Sequence, residues 1–245
     1  MRIPRIHTPQ PLVTGQTVTL DDNAFNHAVR VLRLGEGDAI ILFNGKGGQF
    51  EARLSEVNRK QARATVGAHA DVEVESPLKL IMGQCISRGE KMDYTIQKSV
   101  ELGISEITPL SSTRCGVQLK GERLEKRLNH WQSVAISAAE QSGRNRTTPI
   151  RPLMSLAAWV EKVEADLKLV LEPSATQALG QLPPPQHSVA LLFGPEGGMT
   201  QAEIELALRH GFTAIRLGPR ILRTETASLA TLSAIQTLWG DLGKA

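Results

Sequence analysis

Val189-Ala190-Leu191-Leu192-Phe193-Gly194-Pro195-Glu196-Gly197-Gly198 is followed almost at once by Thr200-Gln201-Ala202-Glu203. The apolar run is short and is cut off by Gly-Pro. That suits a strand buried on both faces. Thr-x-x-Glu is a capping box, in which Thr200 and Glu203 satisfy each other's free backbone amides. A helix is therefore expected from Thr200 to His210, and Glu203 has a structural task at its start. A buried strand that turns through glycine into a helix is one half of a βαβ unit.

The same rhythm extends outward. Leu167 to Leu171 and Ala214 to Leu217 read as flanking strands, and Leu78 to Gln84 and Glu106 to Leu110 as earlier ones. Met92, Ile96 and Val100 recur at helical spacing up to a stop at Gly103. Leu124, Leu128, Trp131, Ala135 and Ala138 mark a long amphipathic helix ending at Gly143, and Thr226 to Trp239 marks a last one. Alternating strands and helices predict an α/β fold, a parallel sheet with helices on both faces. The triple proline at 183–185 reads as an exposed loop. Before Ser76-Pro77 the pattern is different. Gln49 to Leu54 and Gln61 to Val66 nearly alternate, Ala39 to Phe43 is apolar, and Gly/Asn/Asp turns separate them. Asn23 to Leu32 reads as one short helix. The expected organisation is a small β-barrel over residues 1–73 and the α/β domain over 74–245.

Three expected strand ends carry unusual loops: Leu171-Glu172-Pro173, Gly194 to Gly198, and Leu217-Gly218-Pro219-Arg220-Ile221-Leu222-Arg223. Ligands in open α/β sheets lie beyond the carboxyl ends of strands, and glycine lets backbone groups approach them closely. Nucleotide phosphates fit poorly. There is no Gly-Lys-Ser/Thr and no Gly-x-Gly-x-x-Gly, and Glu196 would repel a phosphate at a helix start. An adenosine-type ligand carrying positive charge suits the loops better. The six histidines show neither triad nor metal-ligand spacing, so no metal is expected.

The 28 basic and 25 acidic residues leave a net charge of +3 on 245 residues. Split by segment, residues 1–75 are neutral, 76–151 carry +5 and 152–245 carry −2. Arginine outnumbers lysine by 18 to 10, and a basic, Arg-rich middle third suits a polyanion. Arg88, Lys91 and Lys98 cluster around the first helix of the α/β half. Arg144 and Arg146 sit on the Gln141 to Arg146 loop, where either phosphate binding or favourable helix-dipole cations would explain them. Two cysteines, Cys85 and Cys115, make no disulfide framework, and no apolar run approaches a membrane span. A cytoplasmic setting without membrane attachment is expected. The last helix lacks charge from Thr226 to Gly240, which suits burial or a homodimer interface.

Gly194-Pro195-Glu196-Gly197-Gly198, together with Leu217-Gly218-Pro219-Arg220-Ile221-Leu222-Arg223-Thr224-Glu225-Thr226-Ala227, resembles the bacterial 16S ribosomal RNA (uracil-1498-N3)-methyltransferases. Gln97 to Gly103, Glu140 to Arg144 and the opening Met1 to Arg5 resemble them too, so the likeness runs along the whole chain. It implies a SPOUT-type α/β domain closed by a deep trefoil knot, behind an N-terminal PUA-like RNA-binding barrel. It also implies S-adenosylmethionine as cofactor, a homodimer, and methylation at N3 of a uridine of 16S rRNA in the 30S subunit. Carried over, the cofactor would be held by Leu171, Glu172, Gly194, Glu196, Gly197, Gly198, Leu217, Gly218, Ile221, Leu222 and Arg223. Because uridine N3 must lose a proton, Arg223 and Arg144 are candidates for stabilising developing negative charge and Glu225 for accepting the proton. Arg2, Arg5, Arg30 and Arg33 join Arg88, Lys91, Lys98, Arg144 and Arg146 as candidate RNA contacts. The rival readings are a related knot methyltransferase acting on another RNA site and a non-catalytic RNA-binding ribosome-assembly protein.

Overall fold

A computed structural model of the chain describes residues 3–243, so Arg2 lies outside the described residues. It divides into two compact units, the first formed by the chain up to Glu75 with residues 139–147, the second by the remainder.

In the first unit, β1 (Arg5–His7), β2 (Thr17–Thr19), β3 (Ala39–Phe43), β4 (Gln49–Val57) and β5 (Ala62–Ala70) form one sheet in the order β1-β3-β4-β5-β2. β1 runs parallel to β3, and the other pairs are antiparallel. Alternation along the strands sends Ile40, Leu42, Ala52, Leu54, Ala64 and Val66 into one core. The expected single helix at 23–32 is two pieces. α1 (Asp22–Phe25), capped by the Asp21 carboxylate, gives way to a wider π-helical turn over Asn26–Val31.

Residues 139–147 join this unit through buried polar contacts. Arg144 is 4% exposed and pairs with both carboxylate oxygens of Glu75. Asn145 is fully buried and donates to the Val72 carbonyl. Glu140 accepts from the His7 backbone amide at 2.8 Å and meets His27 Nδ1 at 2.8 Å. That bond raises the His27 pKa above its ordinary value, against the opposing effect of burial. No local pattern announces these partnerships, since Glu75 and Arg144 are 69 positions apart.

The second unit is a six-stranded parallel sheet in the order β11-β9-β10-β6-β7-β8. Its elements are β6 (Lys79–Cys85), α2 (Lys91–Glu101), β7 (Glu106–Ser111), α3 (Gly121–Ser142), β8 (Met154–Ser155), α4 (Leu156–Lys162), β9 (Leu167–Leu171), β10 (Ser188–Phe193), α5 (Gln201–Arg209), β11 (Thr213–Ile215) and α6 (Thr224–Leu238). The last turn of α3 belongs to the first unit. Strand alternation assigns the helices to opposite faces. Ile81, Cys85, Ala190 and Leu192 share a core with Leu156, Trp159 and Val160 of α4 and Ala207 of α5. Gln84, between Gly83 and Cys85, instead donates to Thr224 of α6 at 3.1 Å. Gly83 is required by close approach: a Cβ there would lie 2.7–2.8 Å from the ring of Trp159.

β8 and α4 were not foreseen, and β11 ends at Ile215; Arg216 bridges to Ala178 instead, and the loop follows from Leu217. Among the described residues no helix is long and apolar enough to cross a membrane.

Candidate cofactor and active site

β11, β9 and β10 are neighbours in the sheet, so the three unusual loops emerge side by side from its carboxyl end. Together they line a cavity of about 580 Å³. Leu171 and Glu172 contribute from the first loop; Gly194, Glu196 and Gly198 from the second; Leu217, Gly218, Ile221, Leu222 and Arg223 from the third. Ile221 is 85% exposed and stands at the mouth. Gly197 does not line the cavity. Its carbonyl instead accepts from Arg114 Nη1 at 3.2 Å, in the loop after β7.

Each loop is fastened by its own hydrogen bonds. Glu172 turns its carboxylate onto the Ser174 amide and hydroxyl at 3.1 and 2.9 Å. Glu196 accepts from the Arg88 amide at 2.9 Å and approaches Lys91 Nζ at 3.5 Å. Burial pushes its carboxyl up, but the Arg88 amide and the Lys91 charge outweigh burial, so it stays below the ordinary glutamate value. Thr224 Oγ1 donates to the Gly194 carbonyl at 2.7 Å and accepts from Gln84, tying the start of α6 to the middle loop. The capping box at Thr200 and Glu203 forms as read, and Glu203 also accepts from the Thr113 amide at 2.8 Å. One carboxylate thus starts α5 and holds the loop that carries Arg114.

Arg223 lies at the start of α6, exposed, and its guanidinium makes no hydrogen bond or ion pair among the described residues. Glu225, two residues on, does not line the cavity; its Oε2 is buried without a hydrogen-bond partner. An unpaired cation and an unpaired carboxylate oxygen thus stand at one helix start, each with spare capacity for chemistry. Arg144 offers no such capacity. Its buried guanidinium is already matched by Glu75, and both residues belong to the first unit, so the anion-stabilising role expected of it has no support in its placement.

Residues 74–236 match the family model described as an RNA methyltransferase domain, and residues 20–67 match the RNA methyltransferase PUA domain. The ribosomal RNA small subunit methyltransferase E of Buchnera aphidicola subsp. Schizaphis graminum is 39% identical over 98% of this chain and 98% of its own. That of Bacillus subtilis is 32% identical over 93% of each. The chain belongs to the ribosomal RNA small subunit methyltransferase E family. Two solved structures agree along almost the whole length of this methyltransferase. A Neisseria gonorrhoeae ribosomal RNA small subunit methyltransferase E bound to S-adenosylmethionine gives a TM-score of 0.92 at 42% identity, covering 98% of this chain and 100% of that one. A Legionella pneumophila protein with bound SAM gives 0.96 at 40% identity, covering 99% and 100%.

The expected RNA contacts fare unevenly. Arg30, Arg33 and Arg88 are exposed. Arg5 is half-buried and committed inside its unit, donating to Gln49 and Asn145 and lying over the Phe43 ring. Its placement, like that of Arg144, lends no support to an RNA contact. Arg146 pairs with Glu73 at 2.7 Å and Lys98 with Glu101 at 2.7 Å. Lys91 lines the cavity beside the three loops. Thr224 and Arg114 were missed as loop fasteners. Thr224 stood inside the quoted motif, whereas nothing in the sequence ties Arg114 to residues 83 positions away.

The two cysteines are also neighbours. Cys115 Sγ lies 3.2 Å from Ser112 Oγ, and a bond from the Cys85 thiol lowers the Cys115 pKa to about 6. The same contact, reinforced by burial, pushes Cys85 up. Cys115 is therefore expected to alkylate with iodoacetamide at a rate half-maximal near pH 6, and Cys85→Ala to move that midpoint upward. Mass-spectrometric labelling against pH reads both, and a Cys115 midpoint at or above 8.5 contradicts the arrangement.

Proposed function

We propose that this methyltransferase uses S-adenosylmethionine to methylate N3 of a uridine in 16S rRNA, acting as a homodimer on the small ribosomal subunit in the cytoplasm. The observation that carries the reading is the convergence of three proline-bearing loops, two of them also bearing glycine, on one cavity, in a chain whose relatives are rRNA methyltransferases. The residues present fit the cofactor. The cavity offers loop backbone groups for an adenosine and aliphatic Leu171, Leu217 and Leu222 for its ring. Two carboxylates, Glu172 and Glu196, suit its positive charge. When bound, the cofactor supplies an electrophilic methyl group on a sulfonium.

The chain's own residues then have two tasks. Transfer needs N3 held in line with the methyl carbon, and positioning of this kind supplies much of an enzyme's rate. N3 also carries a proton, and its loss leaves negative charge shared with O2 and O4. Arg223, exposed and unpaired at the cavity, is assigned to that charge. Glu225, which does not line the cavity, is assigned to accept the proton at its unpaired oxygen by way of one intervening water. The first unit is assigned to RNA binding, and the uncharged face of α6 to the dimer contact, with Leu238 51% exposed along it.

Nucleosides from the rRNA of a deletion strain test the reaction. Loss of 3-methyluridine, restored by the wild-type gene, is the expected result. An unchanged nucleoside profile overturns the assignment of the product. Calorimetric titration of the purified chain with S-adenosylmethionine tests the cofactor independently, since a non-catalytic RNA-binding protein gives no binding heat.

A further inference from the structure

Three irregularities coincide in the first unit, at Arg30-Val31-Leu32-Arg33. The backbone leaves the regular helix. The Leu32 amide donates to the His27 carbonyl five residues back at 3.0 Å, and the Leu34 amide to the Ala28 carbonyl at 3.0 Å. Arg33 has φ +58°, and it alone among the described non-glycine residues adopts a left-handed conformation. Such a backbone costs about 1 kcal/mol or more for a side chain that is neither glycine nor asparagine. Finally, Val31 is 68% and Leu32 40% exposed.

These features are connected. α1 buries Ala24 and Phe25, and Ala28 is fully buried after it. In a regular helix, positions three and four beyond Ala28 share its buried face. The widened turn instead turns Val31 and Leu32 outward, while Val29 and Leu34 on either side pack against the core. The sequence thus holds two aliphatic side chains in water between two arginines, on a short segment anchored at both ends. Arg30 is steadied by the Phe25 ring, 5.4 Å from its centroid. Two carboxylates of this unit, Asp38 and Glu140, are already engaged. Asp38 accepts from the Gly35 amide at 2.7 Å, and Glu140 is taken by His27 and the His7 amide.

We propose that this tip is an apolar wedge for RNA. Val31 and Leu32 pack against an unpaired or splayed nucleotide of the small-subunit rRNA, and Arg30 and Arg33 clamp the phosphates on either side. The proposal rests on the reading of this chain as an rRNA methyltransferase. Charge complementarity selects the occupant: aliphatic side chains flanked by guanidinium groups match a base or sugar between phosphates, and apolar wedges are a recurrent way of engaging unstacked nucleotides. A protein partner would leave two arginines needing acidic counterparts, whereas RNA supplies an anion at every nucleotide.

The test compares two variants of the full chain for binding to an unmethylated small-subunit rRNA transcript across a salt series. Val31→Ser with Leu32→Ser is expected to weaken binding about tenfold at every salt concentration, with the salt slope unchanged, because apolar contact is lost and charge is not. Arg30→Ala with Arg33→Asn is expected to reduce the slope of log affinity against log salt by roughly 1.4, the value for two single-strand phosphate contacts. Asparagine at 33 tolerates the left-handed backbone, so that variant removes charge without adding strain. Wild-type affinity in the serine variant overturns the wedge. So does a serine variant whose oligomeric state changes in sedimentation, since the tip would then face a second copy of the chain. Binding of S-adenosylmethionine is expected to be unaltered in both variants. If the wild-type chain itself fails to bind that cofactor, the underlying methyltransferase reading falls, while the two RNA arms still decide the wedge.

Discussion

Arg223→Ala is expected to lower the methyl-transfer turnover number by about 10²–10³-fold while leaving the dissociation constant for S-adenosylmethionine within a few-fold of wild type. The reason is electrostatic. A guanidinium with no partner of its own stands where the α6 N-terminus meets the cavity, and removing it takes away charge without orphaning another group. Its contribution is largest when negative charge develops on the base, so the loss appears in turnover and not in ground-state affinity. Arg223→Lys keeps a charge but not the planar fork, and an intermediate rate is expected. Glu225→Gln tests the partner role. Its rate deficit should shrink as pH rises and the substrate proton is lost more readily. Single-turnover assays on rRNA, with calorimetry for the cofactor, separate these effects. Near-wild-type turnover in both Arg223→Ala and Glu225→Gln would sink the assignment.

Glu75→Ala is expected to destabilise the first unit by about 3–5 kcal/mol, because it leaves the Arg144 guanidinium buried without its bidentate carboxylate. The Arg144 side chain is 5% exposed, too enclosed for water to replace the lost partner. A loss of that size lowers the thermal midpoint of a chain of this length by roughly 6 °C or more. Removing both partners together, as Glu75→Leu with Arg144→Met, should cost less than Glu75→Ala alone. The penalty of the single change is the stranded charge, and the pair itself adds little net stability. Differential scanning calorimetry of the two variants decides it; an unshifted melting curve for Glu75→Ala means that Arg144 is not held as described. The sequence presents Arg144 as a group awaiting an anion; in the structure a carboxylate of the same unit already pairs with it.

Much of the second unit was legible because its signals are local. β9 occupies Leu167–Leu171 as read, and the Thr200 capping box places the start of α5. Period and capping depend on neighbours within a few positions, and such terms survive any packing arrangement. The short elements escaped for the opposite reason. β1, β2 and β8 span two or three residues, too few for periodicity, and exist because a partner strand supplies their hydrogen bonds. The π-helical turn was hidden as well, since its residues read as a regular amphipathic helix until packing turned Val31 and Leu32 outward.

The candidate site divides in the same way. Sequence alone determined that three proline-bearing loops, two of them also bearing glycine, end three strands, and that their residue types suit a cationic adenosine-type ligand and not a phosphate. Tertiary structure alone decided that β11, β9 and β10 are adjacent, so that those loops share one cavity. It alone decided which cations are spoken for. Arg5 and Arg144 are satisfied by groups more than forty positions away, while Arg223 is left open. A side chain's chemical type is fixed by the sequence. Whether its charge is already compensated depends on which distant carboxylate or carbonyl the fold brings within hydrogen-bond reach, and no local pattern encodes that distance.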